Sequence, residues 1–294
     1  DADLTGVDCS GADLTGASLA RADAEQSTFA AATLAETDLT AATLTGADFT
    51  DATLTGVDCT ETLLSRVDLS ASTIEGATFS GADLSYAVLE DATVVETTAV
   101  DARLTNVRAA GLRLSGSTLT DASLVNGRFE GSTITDSTLD GVHARRGRFD
   151  GATISRSSLV GSTCINAVLT DATLTDVDLS AADCAHAEFT AAELDGVGLS
   201  EAVLYGSTFA GATIESLDAE AVDGRQSTWT AASIAESSLR KAQLTNATVA
   251  ESTVESTGFA EAMLHESEFT GATLVDCGFT DADLTGAALD QSKI

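Results

Sequence analysis

Three histidines and five cysteines are the side chains of this 294-residue chain best suited to hold a metal or act as nucleophiles, and their spacing gathers neither into a site. His143, His186 and His265 stand far apart, and no Cys-x-x-Cys, His-Glu-x-x-His or EF-hand pattern brings them together. Cys9, Cys59, Cys164, Cys184 and Cys277 are odd in number and lack the paired spacing of a disulfide framework. There is no Gly-x-Ser-x-Gly elbow and no phosphate loop. The chain is therefore expected to be no enzyme and to carry no metal or cofactor.

Charge is the chemistry that remains. There are 46 Asp and Glu against 14 Lys and Arg, a formal net charge of -32 at pH 7. Residues 103 to 156 depart from this with eight arginines against five acids, which leaves 6 - 41, or -35, on the rest of the chain. Such a basic segment in an acidic chain is a candidate site for an anion or an acidic partner.

What positions these charges is a frame of five residues. From Leu4, every fifth residue to Ile294 is apolar at all of 59 positions except Gly224, and two residues earlier the position is usually small, as at Ala2, Ala12 and Ala17. Alternate residues of a strand share a side, so these two positions face inward and the residue between them faces out. The other two residues turn a corner. All 46 acids and all 14 Lys and Arg then fall on the three outward positions.

A period of five is neither a helical stripe nor a plain strand, so it describes a short strand and a bend repeated about an axis. The sides per coil can be counted from bulky residues. Phe29, Phe49, Phe129, Phe149, Phe189, Phe209, Trp229 and Phe269 are separated by multiples of twenty, Phe79, Phe259 and Phe279 share the opposite side, and the six central isoleucines share a third. Four five-residue sides follow, giving about 15 coils and, at ~4.8 Å per stacked strand, a length of roughly 70 Å. The register has no break, so 1–294 is expected to be one domain whose coils touch only their neighbours. Five repeats with Ala or Gly at the centre carry a larger inward residue before it, among them Thr97 with Ala99 and Val107 with Ala109, which should keep the core filled; Ala24 is the exception. All five cysteines fall on inward positions and should be buried.

The motif Ala-Asp-Leu-Thr-Gly, at residues 2–6, 12–16 and 282–286, resembles the A(D/N)LXX consensus of the pentapeptide-repeat family, and the likeness runs through the whole chain. The resemblance implies an all-β fold, a right-handed quadrilateral parallel β-helix. It also brings an alternative function, since some members are DNA mimics that occupy a type II topoisomerase such as gyrase; Asp8, Asp48, Asp68, Glu188 and Glu268 would form the acidic mimic surface.

The first expectation is instead a non-catalytic acidic scaffold for a protein partner or for self-association, without direct nucleic-acid binding. Its candidate docking site is a basic belt of Arg103, Arg108, Arg113, Arg128, Arg145, Arg146 and Arg148, in which Arg108, Arg128 and Arg148 stack at twenty-residue spacing. Like charges ~5 Å apart repel unless neutralised, and Glu130 and Asp150 are near enough in sequence to do so. With only two lysines, the composition resembles proteins of extreme halophiles. A threonine column from Thr33 to Thr273 fits plain β-propensity. The first and last coils present strand edges that further chain, a partner or another copy is expected to cap. No apolar run is long enough to span a membrane as a helix, so a soluble protein is expected, which leaves cytoplasm and secretion both open.

Overall fold

A computed structural model describes residues 2–294 and divides them into two compact units, one ending at Arg148 and the other Phe149–Ile294. Each is an all-β quadrilateral parallel β-helix with a little over seven coils of twenty residues. Pairing is always between residues twenty apart, as in Asp48↔Asp68 and Thr208↔Thr228. The four walls are named by their central residues: A (Leu4, Ala24, Leu44 onward), B (Cys9, Phe29, Phe49), C (Leu14, Leu34, Leu54) and D (Leu19, Leu39, Cys59).

One pattern of backbone bonds builds every wall. In the repeat Ala22–Gln26 the Asp23 amide donates to Ala2 of the preceding coil at 2.9 Å, the Ala24 amide to Thr43 of the next at 2.8 Å and the Gln26 amide to Thr45 at 3.1 Å. The corner is closed by Ser27 N–H on the Ala24 carbonyl, 3.3 Å. That turn needs a positive φ at its third residue, the geometry of a type II turn. Glycine supplies it at Gly46 and Gly206, with φ of 68° and 65°, but Asp51, Tyr86 and Lys241 adopt it too, at 59°, 62° and 57°. A side chain in this region is strained by ~1–2 kcal/mol, and the bond to the next coil holds it there.

The fourth residue of the frame is the one whose amide this pattern leaves over. Where the outward residue is Asp, its carboxylate takes that amide: Asp13 Oδ1 accepts from Thr15 N at 3.0 Å and from Thr15 Oγ1 at 2.6 Å, and Asp48 Oδ1 from Thr50 at 2.9 and 2.6 Å. This explains the motif Ala-Asp-Leu-Thr-Gly residue by residue. The aspartate is a corner staple before it is a surface charge.

Wall C pairs more extensively. Its strands run from β1 (Thr33–Ala35) to β6 (Thr133–Thr135) in the first unit and from β7 (Thr153–Ser155) to β13 (Thr273–Val275) in the second, one per coil. Here the ladder includes the fourth residue, as in Ala35↔Thr55, while the other walls pair through single bridges. Asp13, the only aspartate of the outward column, staples Thr15 and makes only a single bridge. Threonine and β-branched centres suit such a pleated surface.

The core is the stack of central residues with small inward neighbours. Phe29 and Phe49 stack at 4.7 Å between centroids, Phe189 and Phe209 at 4.6 Å, and Phe209 and Trp229 at 4.0 Å. Inward serines remain satisfied by donating to carbonyls, as Ser27 Oγ does to Ala24 O at 2.6 Å. Two expectations are corrected. A cavity of about 50 Å³ is lined by Ala99, Val107, Ala109 and Leu112 among others, where the core was expected to be filled. Ala99 on wall D and Ala109 on wall B face each other across the interior, and the larger inward residues beside them, Thr97 and Val107, line the cavity without filling it. Cys9 and Cys277, in the first and last of the described coils, are only half-buried; Cys59, Cys164 and Cys184 are buried. Burial pushes the Cys59 thiol well above its ordinary value, so it stays protonated.

Candidate interaction surface

Among the described residues no three His, Cys, Asp or Glu side chains converge on a metal-sized site, and no helix is long and apolar enough to cross a membrane. The features that stand out are on the outer walls.

The arginines form a corner patch, and the structure does not bring all seven together. Arg108, Arg128 and Arg148 are successive rungs of wall B, paired Arg108↔Arg128 and Arg128↔Arg148. Arg103 is on wall A, and Arg145 and Arg146 turn the corner between A and B, with His143 beside them. Arg113 is the exception. It begins β5 (Arg113–Ser115) on wall C, between Thr93 and Thr133, and so faces another direction. The outward residues of wall D over these coils, Thr98, Thr118 and Thr138, are neutral. The expected belt is therefore a patch on one corner, because six of the seven arginines lie on walls A and B or the corner between them and only Arg113 lies on wall C.

Glutamates from the following corner neutralise the ladder. Arg108 donates from Nε and Nη2 to Glu90 Oε1 at 2.9 and 2.6 Å, and Glu130 Oε1 lies 3.1 Å from Arg128 Nε and 3.2 Å from Arg148 Nε. The Arg side chains nonetheless stay 55, 59 and 52% exposed, so these pairs are screened and add little to stability. Arg103, Arg145 and Arg146 are exposed at the same corner with no carboxylate of the described residues within ion-pair distance. Tyr86, 56% exposed, stands in the corner column that continues through Asn106 and Asn126 to Arg146. It escaped the sequence reading because one tyrosine at a corner has no periodic signal.

The acidic candidates separate into two kinds. Asp8, Asp48 and Asp68 are outward residues of wall B and corner staples, bound to the amides of Ser10, Thr50 and Ser70 at 2.9 Å each. Glu188 and Glu268, in the second unit, are exposed on that unit's wall B with neutral Thr208, Thr228 and Thr248 between them. No unbroken acidic track results in either unit. In the second unit most basic side chains are engaged: Arg225 with Asp223 through two bonds of 2.7 Å, and Arg240 between Glu220 and Glu261. Arg225 also lies over Tyr205, 5.9 Å from the ring centroid, and Tyr205 Oη donates to Gln226 at 2.7 Å.

The staples predict a pH response. The Thr50 hydroxyl holds the Asp48 carboxyl below its usual value, against partial burial, and the Ser or Thr two residues on does the same for Asp8, Asp13, Asp38 and Asp283. A carboxyl that titrates lower when folded contributes stability in full above its unfolded value, ~3.9, and loses it as pH falls through the folded value. Self-repulsion from a net charge of -32 at pH 7 also weakens as the pH is lowered. The thermal midpoint followed by circular dichroism is expected to rise from pH 7 to about 5 and to fall below about 4. A midpoint that declines steadily from pH 7 would contradict this assignment.

A twenty-residue, four-walled parallel coil built from five-residue repeats defines the class of protein. The family described as Pentapeptide repeats matches in eight copies, over residues 1–30, 32–70, 62–98, 100–136, 148–183 and 255–291, and the chain belongs to that family. Among curated protein sequences nothing matches. Solved structures similar to it include HetL, a pentapeptide repeat protein involved in heterocyst differentiation regulation in the cyanobacterium Nostoc sp. strain PCC 7120. The two are 19% identical over 99% of this chain and 89% of HetL, with a TM-score of 0.31. Full-length QnrB1, a plasmid-mediated fluoroquinolone resistance protein, is 19% identical over 64% of this chain and 91% of its own, TM-score 0.29. A pentapeptide repeat protein of the Arabidopsis thaliana thylakoid lumen is 26% identical over 42% and 66%, TM-score 0.16.

Proposed function

We propose that this chain is a non-catalytic interaction scaffold that docks acidic protein surface on the corner between walls A and B at residues 103–148. The observation that carries this reading is the set of exposed arginines unpaired with any carboxylate among the described residues, Arg103, Arg145 and Arg146, beside the ladder of wall B in a chain of charge -32. Arginine is the side chain best suited to bidentate carboxylate recognition, and a basic patch in an acidic protein directs approach to one place. The acidity elsewhere serves solubility in concentrated salt.

A polyglutamate peptide titrated against the protein in 50 mM salt is expected to bind, and the triple variant Arg103→Ala, Arg145→Ala, Arg146→Ala to bind at least tenfold more weakly. Equal binding by both proteins, or none by either, would refute the docking corner. A DNA mimic needs continuous negative charge, which wall B of the first unit lacks from Arg108 onward; inhibition of gyrase supercoiling at stoichiometric protein would reverse this preference.

A further inference from the structure

Wall B of the first unit is self-complementary. Its outward column reads Asp8, Thr28, Asp48, Asp68, Val88, Arg108, Arg128, Arg148, so it is acidic on one side of Val88 and basic on the other. The asymmetry extends beyond this column: residues 1–100 hold 18 acids and two arginines, and residues 101–148 hold five acids and seven arginines. At the change of sign stand Val88, part-exposed, and Tyr86 at the corner beside it.

We infer that two copies of this chain pair antiparallel through wall B of their first units, about a two-fold axis at Val88. The inference rests on the reading of the arginine surface as a docking site and names its occupant. A two-fold axis lying in the interface and perpendicular to the coil axis reverses the order of coils and keeps each edge of the wall against its own copy. Counting coils from Val88 then places Asp68 of each copy opposite Arg108 of the other, Asp48 opposite Arg128, and Thr28 opposite Arg148. Four acid–arginine pairs form per dimer, two related by symmetry to the other two. Tyr86 and Val88 meet their own copies at the centre, where an interface gains most from an aromatic and apolar core.

A parallel arrangement would bring Asp against Asp and Arg against Arg, at a cost in repulsion, so the charge order selects the antiparallel one. Neither partner charge has to abandon its intrachain role. The staples use Oδ1 of Asp48 and Asp68 for Thr50 and Ser70, Asp48 Oδ2 accepts only a long 3.4 Å bond from Thr28 Oγ1, and Arg108 gives Nε and Nη2 to Glu90, which leaves its Nη1 for a partner. From Thr28 to Arg148 the face is six coil steps, ~29 Å, and one wall wide, which places it with small, reversible interfaces and an affinity on the order of 10 µM.

Sedimentation velocity across 1–200 µM protein tests this directly. Wild type in 50 mM salt is expected to shift from monomer to dimer, with affinity falling at least tenfold in 500 mM salt. Arg108→Glu with Arg128→Glu should abolish the dimer, since Asp68 and Asp48 of each copy then face acids. Asp48→Arg with Asp68→Arg should do the same, and a mixture of the two variants should form a one-to-one complex. If the Asp→Arg pair disturbs the staples, Asp48→Asn with Asp68→Asn retains the oxygen acceptor and should weaken the dimer at least tenfold. A monomer at every concentration, or a dimer indifferent to these changes, overturns the inference. Polyglutamate binding separates the two readings: a monomer that still binds it through Arg103, Arg145 and Arg146 loses only the dimer, whereas loss of both removes the docking surface as well.

Discussion

Replacing Phe209 by alanine is expected to destabilise the second unit by about 3–5 kcal/mol, the range for removing a buried aromatic ring. Phe209 is the middle ring of a column, 4.6 Å from Phe189 and 4.0 Å from Trp229 between centroids, and it is fully buried. Because a coil touches only the coils on either side, its neighbours cannot slide in from elsewhere to fill the space. Phe209→Leu keeps most of the volume and should cost about 1–1.5 kcal/mol. The single tryptophan is the reporter: Trp229 is 2% exposed and its indole N–H donates to Ser227 Oγ at 2.7 Å. Urea unfolding followed by Trp229 emission reads both variants. A loss of less than about 1.5 kcal/mol for Phe209→Ala would mean that the stack collapses around the gap.

A pair of proline substitutions in the same coil is expected to give opposite results. The Thr208 amide donates to Ala187 of the preceding coil at 3.0 Å, so Thr208→Pro removes an inter-coil bond and should cost about 3 kcal/mol or more. Two residues on, Ala210 is the second residue of the turn that Ala212 N–H closes on Phe209 O at 3.1 Å, with Gly211 at φ 66° in third place. Proline is favoured at that position of a type II turn, and the Ala210 amide has no backbone acceptor, so Ala210→Pro should stay within about 1 kcal/mol of the parent. The chain contains no proline, so both variants are free of background effects. Equal damage from the two would show that the corner is not held as described.

The inward and outward assignment was legible because every Asp, Glu, Lys and Arg falls on an outward position: Asp48 and Phe49 are adjacent in sequence and opposite in environment. The four sides were legible because Phe29 and Phe49, or Ile214 and Ile234, gain by stacking on like residues one coil apart, and that preference writes the coil length into the sequence. The arginine ladder was legible for the same reason. Its partners were only partly so: Glu130 was visible as a neighbour, but the bond from Arg108 to Glu90 joins residues 18 apart and depends on the direction in which a corner side chain leaves the wall. Arg113 was grouped with the ladder because it lies close in sequence, yet a shift of one side turns it through a corner.

Sequence alone determined the frame, the number of walls and the side on which each residue lies, because these follow from local alternation and from a repeat that admits only one register. Tertiary structure decided what depends on filling space and on the spare hydrogen-bonding groups. Ala99 and Ala109 leave a cavity because they face each other from opposite walls, a coincidence that volume pairing within one repeat does not register. Asp48 is a staple because its carboxylate meets the one amide the ladder omits. The charges of wall B become complementary only when coils are stacked in order, which sets Asp68 and Arg108 equidistant from Val88 on a single face.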